Sequence, residues 1–324
     1  MPLIYVTSAI HEDVLKALSH LGDVRLGYGS NAVPYQEIQN QVDAVFLRGG
    51  HLSAEMIAAS PKLRIVARHG AGYDNVDFRA AEELGVWVTN TPGENRRSVV
   101  EHVFALLLAI SRKILLTSDQ TRNSIWAADR LSLTGIELQG RTLGLVGFGD
   151  IGRHVAPVAE AFGMTVIATD PAYDSSDDER IVDLDTLLAN SDVLSLHVPL
   201  LSSTRNLIGK QEIAKMKEGA ILINTSRGGV MDESAVAEAL KSGQLGGAGI
   251  DVLDAENHDM ISPFKHNTFP VADLPNLIVT PHVAGQTNES LLRVGMSAVR
   301  AIAAVLSGAA PDHPVNRPIP KAVH

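Results

Sequence analysis

The stretch GLVGFGDIGRHVAPVAEAFG, residues 144–163, decides the fold expected for this chain. It continues an apolar segment, 142–146, places three glycines in the order GxGxxG, and leads into a helix rich in alanine and valine. Gly147 permits a tight turn, Gly149 lets the backbone approach a pyrophosphate, and Gly152 lets the helix pack closely on the strand. The helix N-terminus adds amide donors and a positive dipole. The pattern therefore predicts a strand, a turn and a helix that bind a dinucleotide.

A carboxylate follows this unit at the expected distance. The next predicted strand, MTVIATD, ends in Asp170, about 20 residues beyond Gly152. A carboxylate there accepts hydrogen bonds from the adenosine ribose and repels a 2′-phosphate, which favours NAD over NADP. The structural alternative is a glycine-rich turn followed by a solvated aspartate. Spacing, context and charge together favour the dinucleotide.

The chain as a whole alternates short apolar strands with amphipathic helices. At 324 residues it is about twice the length of a ~150-residue domain, which suggests two domains. A second series of strands and helices begins at residue 142, after a long helical pattern over 99–116, and another long helix is predicted over 288–306. The first series has predicted strands at 3–8, 23–28, 43–48, 63–68 and 86–89. The alternation predicts an α/β fold of two doubly wound parallel-sheet domains.

Composition and charge exclude several classes of function. The net charge of −10 is unlike the basic footprint of a nucleic-acid-binding protein, so no nucleic-acid partner is expected. The chain has no cysteine, which excludes disulfides, thiolate zinc sites and cysteine nucleophiles and suits a cytoplasmic location. Residues 1–10 are too short for a signal peptide, and the apolar helix from His102 is too short to span a membrane. We expect neither a membrane partner nor a metal.

Three ionisable residues follow predicted strands of the second series. Arg227 follows AILINTS, Glu256 lies just past GAGIDV, and His282 follows LIVTP. Alone, each has a structural alternative: an arginine that bridges a turn, a solvated carboxylate, or a loop histidine with ordinary partners. Ligands of open α/β sheets bind at the carboxyl ends of strands, where these three residues are expected together.

Together, the three residues fit hydride transfer to a 2-oxo acid. The planar guanidinium of Arg227 suits a carboxylate and the adjacent carbonyl. His282 can give or take a proton near neutral pH, and a paired Glu256 would orient its ring. We therefore predict that Arg227 anchors a substrate carboxylate and that Gly228 and Gly229 leave room around it.

Further motifs occur in a characteristic order: RHGAGYDNVD, GFGDIG, HVPLLSSTRNLIG, NTSRGGVMDESA, GAGIDVLDAE and PHVAGQT. With these motifs the chain resembles the D-isomer-specific 2-hydroxyacid dehydrogenases over nearly its whole length. The resemblance implies that Arg227, Glu256 and His282 form the catalytic set. It implies a flavodoxin-like substrate-binding domain, 1–97 plus 285–324, with an NAD-binding Rossmann domain, 98–284, inserted into it. It also implies a homodimer paired mainly through the cofactor domains.

The resemblance also implies further site residues. Asp251 and the backbone around Thr225 and Ser226 would hold the nicotinamide. Backbone amides near Ala71 and Gly72 would bind the substrate carboxylate. The implied cofactor-binding set is Gly147, Gly149, Asp150, Ile151, Gly152, Asp170, His197, Pro199, Thr204, Thr225, Ser226, Asp251, His282 and Gly285.

The sequence is compatible with more than one class of substrate. Arg48 stands where phosphoglycerate dehydrogenase-like members carry an arginine that faces the distal end of the substrate, which suggests a 2-oxo acid with a second anionic group. Alternatively, Arg48, Arg96 and Arg97 are surface or hinge charges and the enzyme is a glyoxylate or hydroxypyruvate reductase. A non-catalytic, NAD-sensing scaffold of the co-repressor type is a third possibility. Glu256 argues against the formate-oxidising branch, which typically carries glutamine there.

Overall fold

A computed structural model describes residues 1–126, 129–174, 176, 178–257, 263–265 and 269–318. The chain divides into two compact units, Met1–Asn95 with Gln286–His324, and Arg96–Gly285. The strands are β1 Leu3–Val6, β2 Asp23–Leu26, β3 Ala44–Leu47, β4 Ile65–Arg68, β5 Trp87–Thr89, β6 Thr142–Val146, β7 Thr165–Thr169, β8 Val193–Leu196, β9 Ala220–Asn224, β10 Leu245–Ile250 and β11 Leu277–Val279. The helices are α1 Glu12–Leu21, α2 Tyr35–Ile38, α3 Ala54–Ala58, α4 Phe78–Glu83, α5 Arg96–Ser111, α6 Ile114–Arg122, α7 Asp150–Ala161, α8 Leu184–Asn190, α9 Lys210–Lys215, α10 Glu233–Ser242 and α11 Asn288–Leu306.

The first unit is a parallel sheet with helices on both faces. Its strand order is β2-β1-β3-β4-β5, the flavodoxin-like order. Every residue of β3 is buried, as expected for a central parallel strand covered on both faces. On one face, Ile4 and Phe46 pack with Val14 of α1 and Ile302 of α11. The doubly wound fold predicted for this part of the chain is confirmed.

The second unit is also a parallel doubly wound sheet. Its strand order is β11-β10-β9-β8-β6-β7, and an isolated parallel bridge between Ala168 and Ile181 continues the sheet beyond β7. With that bridge counted as a strand, the order matches the dinucleotide-binding arrangement, in which the chain reverses direction across the sheet beside its first strand. The reversal lies between β6 and β8. Ligands bind at this point in open α/β sheets.

The helix predicted over 99–116 is two helices in the structure. The prediction was wrong because Lys113 adopts a left-handed backbone conformation, with φ 52°, between α5 and α6. A left-handed residue cannot continue a right-handed helix. Apolar periodicity continues across this break, so the pattern alone did not reveal it.

Between β10 and β11, the described residues include three short 3-10 turns, Asp254–Asn257, Pro263–Lys265 and Val271–Asp273. Residues 258–262 and 266–268 lie outside the described part. In the part of the chain that the structure describes, no helix is both long and apolar enough to cross a membrane.

Candidate active site

Three adjacent parallel strands bring the predicted catalytic residues to one edge of the second sheet. In the strand ladders, Ile250 of β10 pairs with Asn224 of β9 and with Val279 of β11. Arg227 and His282 each follow these positions by three residues, whereas Glu256 lies on the 3-10 turn Asp254–Asn257. The common register therefore places all three residues beyond the carboxyl ends of neighbouring strands.

A buried asparagine shapes the turn that carries Arg227. The side chain of Asn224 is fully buried, and its Nδ2 donates to the carbonyl of Arg227 at 2.9 Å. Its Oδ1 accepts from the nitrogen and the hydroxyl of Ser226, at 3.0 and 2.8 Å. The Asn224 side chain thus provides hydrogen-bond partners for polar groups of the turn that would otherwise be unpaired. Sequence reasoning missed this residue, although its polar side chain at the end of an apolar strand was a signal.

Gly228 and Gly229 have a different function from the one predicted. A Cβ on Gly228 would lie 2.1 Å from the carbonyl carbon of Leu253 and 2.1 Å from the nitrogen of Asp254. A Cβ on Gly229 would lie 2.6 Å from Oδ1 of Asp254. Both glycines are buried against the turn that follows β10. The prediction that they leave room around Arg227 is wrong: they permit close packing of the turns that carry Arg227 and Glu256.

The side chains of His282 and Glu256 form a short hydrogen bond. His282 Nδ1 lies 2.6 Å from Glu256 Oε2, and the other carboxylate oxygen, Oε1, accepts from the nitrogen of Leu253 at 2.6 Å. Glu256 is therefore oriented by its own turn and in turn orients the imidazole. His282 has a φ of 54°, a left-handed conformation that is uncommon for a residue other than glycine. Such backbone conformations cluster at functional sites.

A buried carboxylate holds the turn that carries His282. Asp251 is 1% exposed and accepts from the nitrogens of Val283 and Ala284, at 2.9 and 2.8 Å, and from the hydroxyl of Thr280. Because the Thr280 hydroxyl donates to Asp251, it accepts from His102 Nε2, which lies 3.0 Å away. The structure thus assigns Asp251 a structural role, whereas the nicotinamide contact implied by resemblance stays a prediction.

A second acidic side chain supports the turn of Glu256. Glu233 Oε1 accepts from the nitrogen of Asp254 at 2.7 Å. Burial raises the pKa of Glu233, and the nearby carboxylates of Asp254, Glu256 and Asp232 raise it further. The sequence motif NTSRGGVMDESA contains Glu233, but the motif alone does not indicate this contact.

The glycine loop has the geometry that a pyrophosphate requires. Gly147 has a φ of 96°, and a Cβ there would lie 2.7 Å from the carbonyl oxygen of His197. A Cβ on Gly152 would lie 2.3 Å from the carbonyl oxygen of Gly147, so the helix needs glycine to pack on the turn. A Cβ on Gly149 would meet no atom within 4 Å, which leaves its backbone open to a ligand. Asp150 and Ile151 follow as the first residues of α7. The cradle fits a dinucleotide.

Asp170 is linked directly to this loop. Its Oδ2 accepts from the nitrogen of Phe148 at 2.8 Å, and its Oδ1 accepts from the nitrogen of Ala172 at 2.9 Å. These bonds fix the carboxylate beside the glycine turn, at the end of β7. The ribose contact predicted for Asp170 remains compatible with these bonds because each carboxylate oxygen can accept more than one hydrogen bond.

The predicted cofactor residues after β8 stabilise their own loop. Thr204 Oγ1 donates to the carbonyl of Pro199 at 2.6 Å and accepts from the nitrogen of Leu201 at 2.8 Å. His197 Nε2 lies 2.9 Å from the hydroxyl of Ser195. Burial lowers the pKa of His197 to about 4, so its imidazole is neutral at pH 7. His197 is therefore suited to a hydrogen-bonding role and not to carrying charge.

Thr225 provides an independent sign of a ligand. Among the described residues, its Oγ1 is one of two buried side-chain oxygens that have no hydrogen-bond partner. Buried hydroxyls normally have a partner. Thr225 lies between β9 and Arg227, at the sheet edge already described, and Gly285 lies in the turn just past Ala284. A polar group of a bound cofactor would satisfy the Thr225 hydroxyl.

The predicted substrate residues of the first unit follow β3 and β4. Arg48 Nη2 donates to Gln286 Oε1 at 2.9 Å, and Nη1 donates to the carbonyl of Ala9. Burial lowers the pKa of Arg48. Ala71 is exposed and its carbonyl accepts from Asn90 Nδ2 at 2.7 Å, while Gly72 is half-buried.

Over the described ranges, no group of three or more His, Asp or Glu side chains could hold a metal ion.

Comparison with known proteins is consistent with this geometry. Residues 104–284 match the family model described as D-isomer specific 2-hydroxyacid dehydrogenase, NAD binding domain. A hydroxypyruvate reductase of Thermotoga maritima is 43% identical over 81% of this chain and 84% of that protein. A D-3-phosphoglycerate dehydrogenase of Methanocaldococcus jannaschii is 37% identical over 98% of this chain but only 60% of that longer protein. Among solved structures, a D-lactate dehydrogenase from Aquifex aeolicus, complexed with NAD and lactic acid, superposes with a TM-score of 0.82 at 30% identity, covering 94% of this chain and 96% of that one.

Proposed function

Because this chain belongs to the D-isomer specific 2-hydroxyacid dehydrogenase family, we propose that it transfers a hydride between NAD and C2 of a D-2-hydroxy acid through Arg227, His282 and Glu256. It is an NAD-dependent oxidoreductase that acts on CH–OH donors. The observation that carries the residue assignment is the 2.6 Å contact between His282 Nδ1 and Glu256 Oε2, at the sheet edge where Arg227 also lies. Retention of this set supports catalysis over a purely NAD-sensing role.

Arg227 binds and orients the substrate in this proposal. A guanidinium offers a planar pair of donors that matches a carboxylate and the adjacent polarised carbonyl. Its Nη1 donates to the carbonyl of Ser226 at 2.8 Å, which holds the guanidinium against its own turn. The cation therefore stands at a defined position, and it stabilises the negative charge that develops on the C2 oxygen.

His282 moves the proton. In reduction, the carbonyl carbon C2 gains the hydride that bound NADH supplies, and the C2 oxygen gains a proton from His282. Since Nδ1 faces Glu256, we assign the transferred proton to Nε2, on the other side of the ring. The hydrogen bond between Nδ1 and the Glu256 carboxylate holds the ring in a fixed orientation during the transfer. In the reverse direction, neutral His282 takes the proton from the hydroxyl as hydride leaves C2.

The cofactor is held by the second unit. We propose that the loop Gly147–Gly152 binds the pyrophosphate and that Asp170 binds the adenosine ribose. Among the described residues, the buried Thr225 hydroxyl has no hydrogen-bond partner, and this supports a nicotinamide position at the end of β9. The remaining proposed contacts are Ser226, Asp251, His282 and Gly285 near the nicotinamide, and His197, Pro199 and Thr204 after β8.

We propose a small 2-oxo acid of the glyoxylate or hydroxypyruvate class as substrate. In the first unit the guanidinium of Arg48 already donates to the Ala9 carbonyl and to Gln286, so it is engaged as a structural cation. The hydroxypyruvate reductase of Thermotoga maritima, which is 43% identical to this chain, matches it over most of the length of both proteins. Backbone amides near Ala71 and Gly72 are the proposed partners of the substrate carboxylate in that unit.

A 2-oxo acid with a second anionic group is the alternative substrate. Arg48 and Arg68 both bring positive charge to the region of His69 in the first unit, which supports an anion there. The test is NADH oxidation with a panel that contrasts glyoxylate, hydroxypyruvate and pyruvate with phosphohydroxypyruvate, sulfopyruvate and oxaloacetate. Preference for the first group supports the small-acid reductase, and preference for the second makes Arg48 part of a distal anion site. No turnover with any acid, while NADH still binds, would contradict catalysis.

We propose that two copies of the chain pair through residues 114–126 and 129–131. Half of the exposed large apolar side chains in the described part of the chain lie there, among them Leu115 at 56%, Trp126 at 77% and Leu131 at 84% exposure. Apolar patches of this kind mark association surfaces, and a second copy covers the same patch on both partners. Light scattering should give twice the chain mass. Leu115→Glu should give monomers, whereas Leu84→Glu, at an exposed site of the first unit, should not.

A further inference from the structure

Asp150 places a negative charge in the loop that is proposed to receive the pyrophosphate. It directly follows Gly149, is the first residue of α7, and its side chain is 45% exposed. A pyrophosphate at this loop is also negatively charged, and like charges a few ångströms apart repel. The dipole of α7 offsets only part of this repulsion because its N-terminus is equivalent to about half an elementary charge. The loop therefore requires a further cation if it is to bind NAD well.

Arg96 supplies that cation from the start of α5. Its Nη1 lies 2.8 Å from Asp150 Oδ1 and 3.3 Å from His154 Nε2. His154 Nδ1 lies 2.7 Å from the carbonyl oxygen of Asp150. Because a carbonyl can only accept, His154 Nδ1 donates, and in the neutral ring Nε2 is left as the acceptor for Arg96. Two acceptors one turn apart on α7 thus hold one guanidinium nitrogen, and its position is more defined than in a surface ion pair with a single partner.

We propose that Arg96 is a positioning residue for the cofactor, which cancels the charge of Asp150 and so makes the glycine loop attractive to the pyrophosphate of NAD. This inference rests on the proposed cofactor binding at Gly147–Gly152. Arg96 acts through Asp150, so its effect falls on the affinity for NADH and not on the hydride-transfer step. Arg97, the next residue of α5, is exposed and carries the same charge, and it provides a matched control.

The test is a charge cycle read by direct binding. NADH affinity is measured by fluorescence titration for the wild type, Arg96→Ala, Asp150→Asn and the double variant, with thermal unfolding as a check of the fold. We expect Arg96→Ala to raise the Kd about five- to tenfold, as for the loss of one partly screened charge. Asp150→Asn should leave the Kd unchanged or lower it. The double variant should return to within about twofold of wild type, since no uncompensated carboxylate then remains.

The outcomes separate this inference from the function on which it rests. Arg97→Ala should bind NADH like the wild type, and kcat at saturating NADH should be the same for Arg96→Ala and wild type. A wild type that binds no NADH would overturn the proposed cofactor site itself. A wild type that binds NADH with the affinity of Arg96→Ala would overturn only the role of Arg96. A double variant as weak as Arg96→Ala would also overturn it, because charge cancellation would then not be the cause.

Discussion

The backbone of Gly228 lies against the backbone of Asp254, so closely that a Cβ on Gly228 would sit 2.1 Å from the Asp254 nitrogen. Arg227 directly precedes this contact, and Glu256 follows it by two residues. The contact therefore joins the turn of the proposed substrate anchor to the turn of the proposed histidine partner. Side-chain substitutions at either turn are expected to affect both.

Gly228→Ala tests this coupling. The added methyl group must displace the backbone of Leu253 and Asp254, and overpacking of this kind typically destabilises by about 1–3 kcal/mol. We expect a lower free energy of unfolding and a large loss of turnover, measured by denaturant unfolding and by NADH oxidation. Gly209→Ala is the control, because a Cβ there would meet its nearest atom at 3.4 Å. Wild-type activity in Gly228→Ala would contradict the coupling.

His282→Ala tests the proton-transfer assignment. Loss of a general acid typically lowers turnover by about 10²–10⁴-fold. NADH affinity should fall only slightly, because one proposed nicotinamide contact is lost while the proposed pyrophosphate and ribose contacts are untouched. His20→Ala, at an exposed position of α1, should have no effect on either quantity. Equal turnover in wild type and His282→Ala would remove His282 from the mechanism.

Arg227→Ala tests the carboxylate anchor. Removal of a charge-assisted hydrogen bond should raise the barrier to oxo-acid reduction by roughly 1.5–3 kcal/mol, or about 10- to 100-fold in kcat/KM. The measurement is kcat/KM for the preferred 2-oxo acid at saturating NADH. Arg79→Ala, which removes an exposed arginine of α4, serves as the comparison. An unchanged specificity constant would refute the anchor.

Asp170→Ser tests the ribose assignment. The serine removes the carboxylate that would repel a 2′-phosphate, so the preference for NADH over NADPH should narrow by roughly tenfold or more. Kinetics with both cofactors give the ratio. A ratio equal to that of wild type would mean that Asp170 serves only Phe148 and Ala172.

A buried histidine of the first unit makes stability depend on pH. Burial, with smaller contributions from Arg48 and Arg68, lowers the pKa of His69 to about 4. The unfolded chain binds this proton near pH 6.5, so between pH 6.5 and 4 the unfolded state holds more protons and stability falls as pH falls. From about pH 7 to about pH 5, His69 alone should remove roughly 2 kcal/mol from the free energy of unfolding.

His69→Gln isolates this contribution because glutamine does not titrate. Urea unfolding at the two pH values should show a smaller acid loss for His69→Gln than for wild type, by about the same 2 kcal/mol. Other groups that titrate in this range, including His197, are common to both proteins and cancel in the difference. Identical acid losses would show that His69 is not held neutral by the fold.

Local patterns in the sequence were sufficient for the fold class. Short, largely apolar runs such as β3 and β9, which alternate with helical patterns, predict central strands covered on both faces. The glycine spacing of 147–152 matches the close contacts found there. The break at Lys113 was not predicted, because a single left-handed residue does not interrupt the apolar periodicity of the sequence.

The sequence by itself determined which residue types this protein has for its chemistry: a cation, a carboxylate and a histidine, each just past an apolar strand, and a glycine loop followed by an acid. Only the tertiary structure decided how they are held. Asp251 and Glu233 accept from backbone nitrogens distant along the chain, and Gly228 is needed because the turn after β10 packs on it. Such roles depend on which strands become neighbours in the folded sheet. The spacing of residues along the chain does not indicate these contacts between strands.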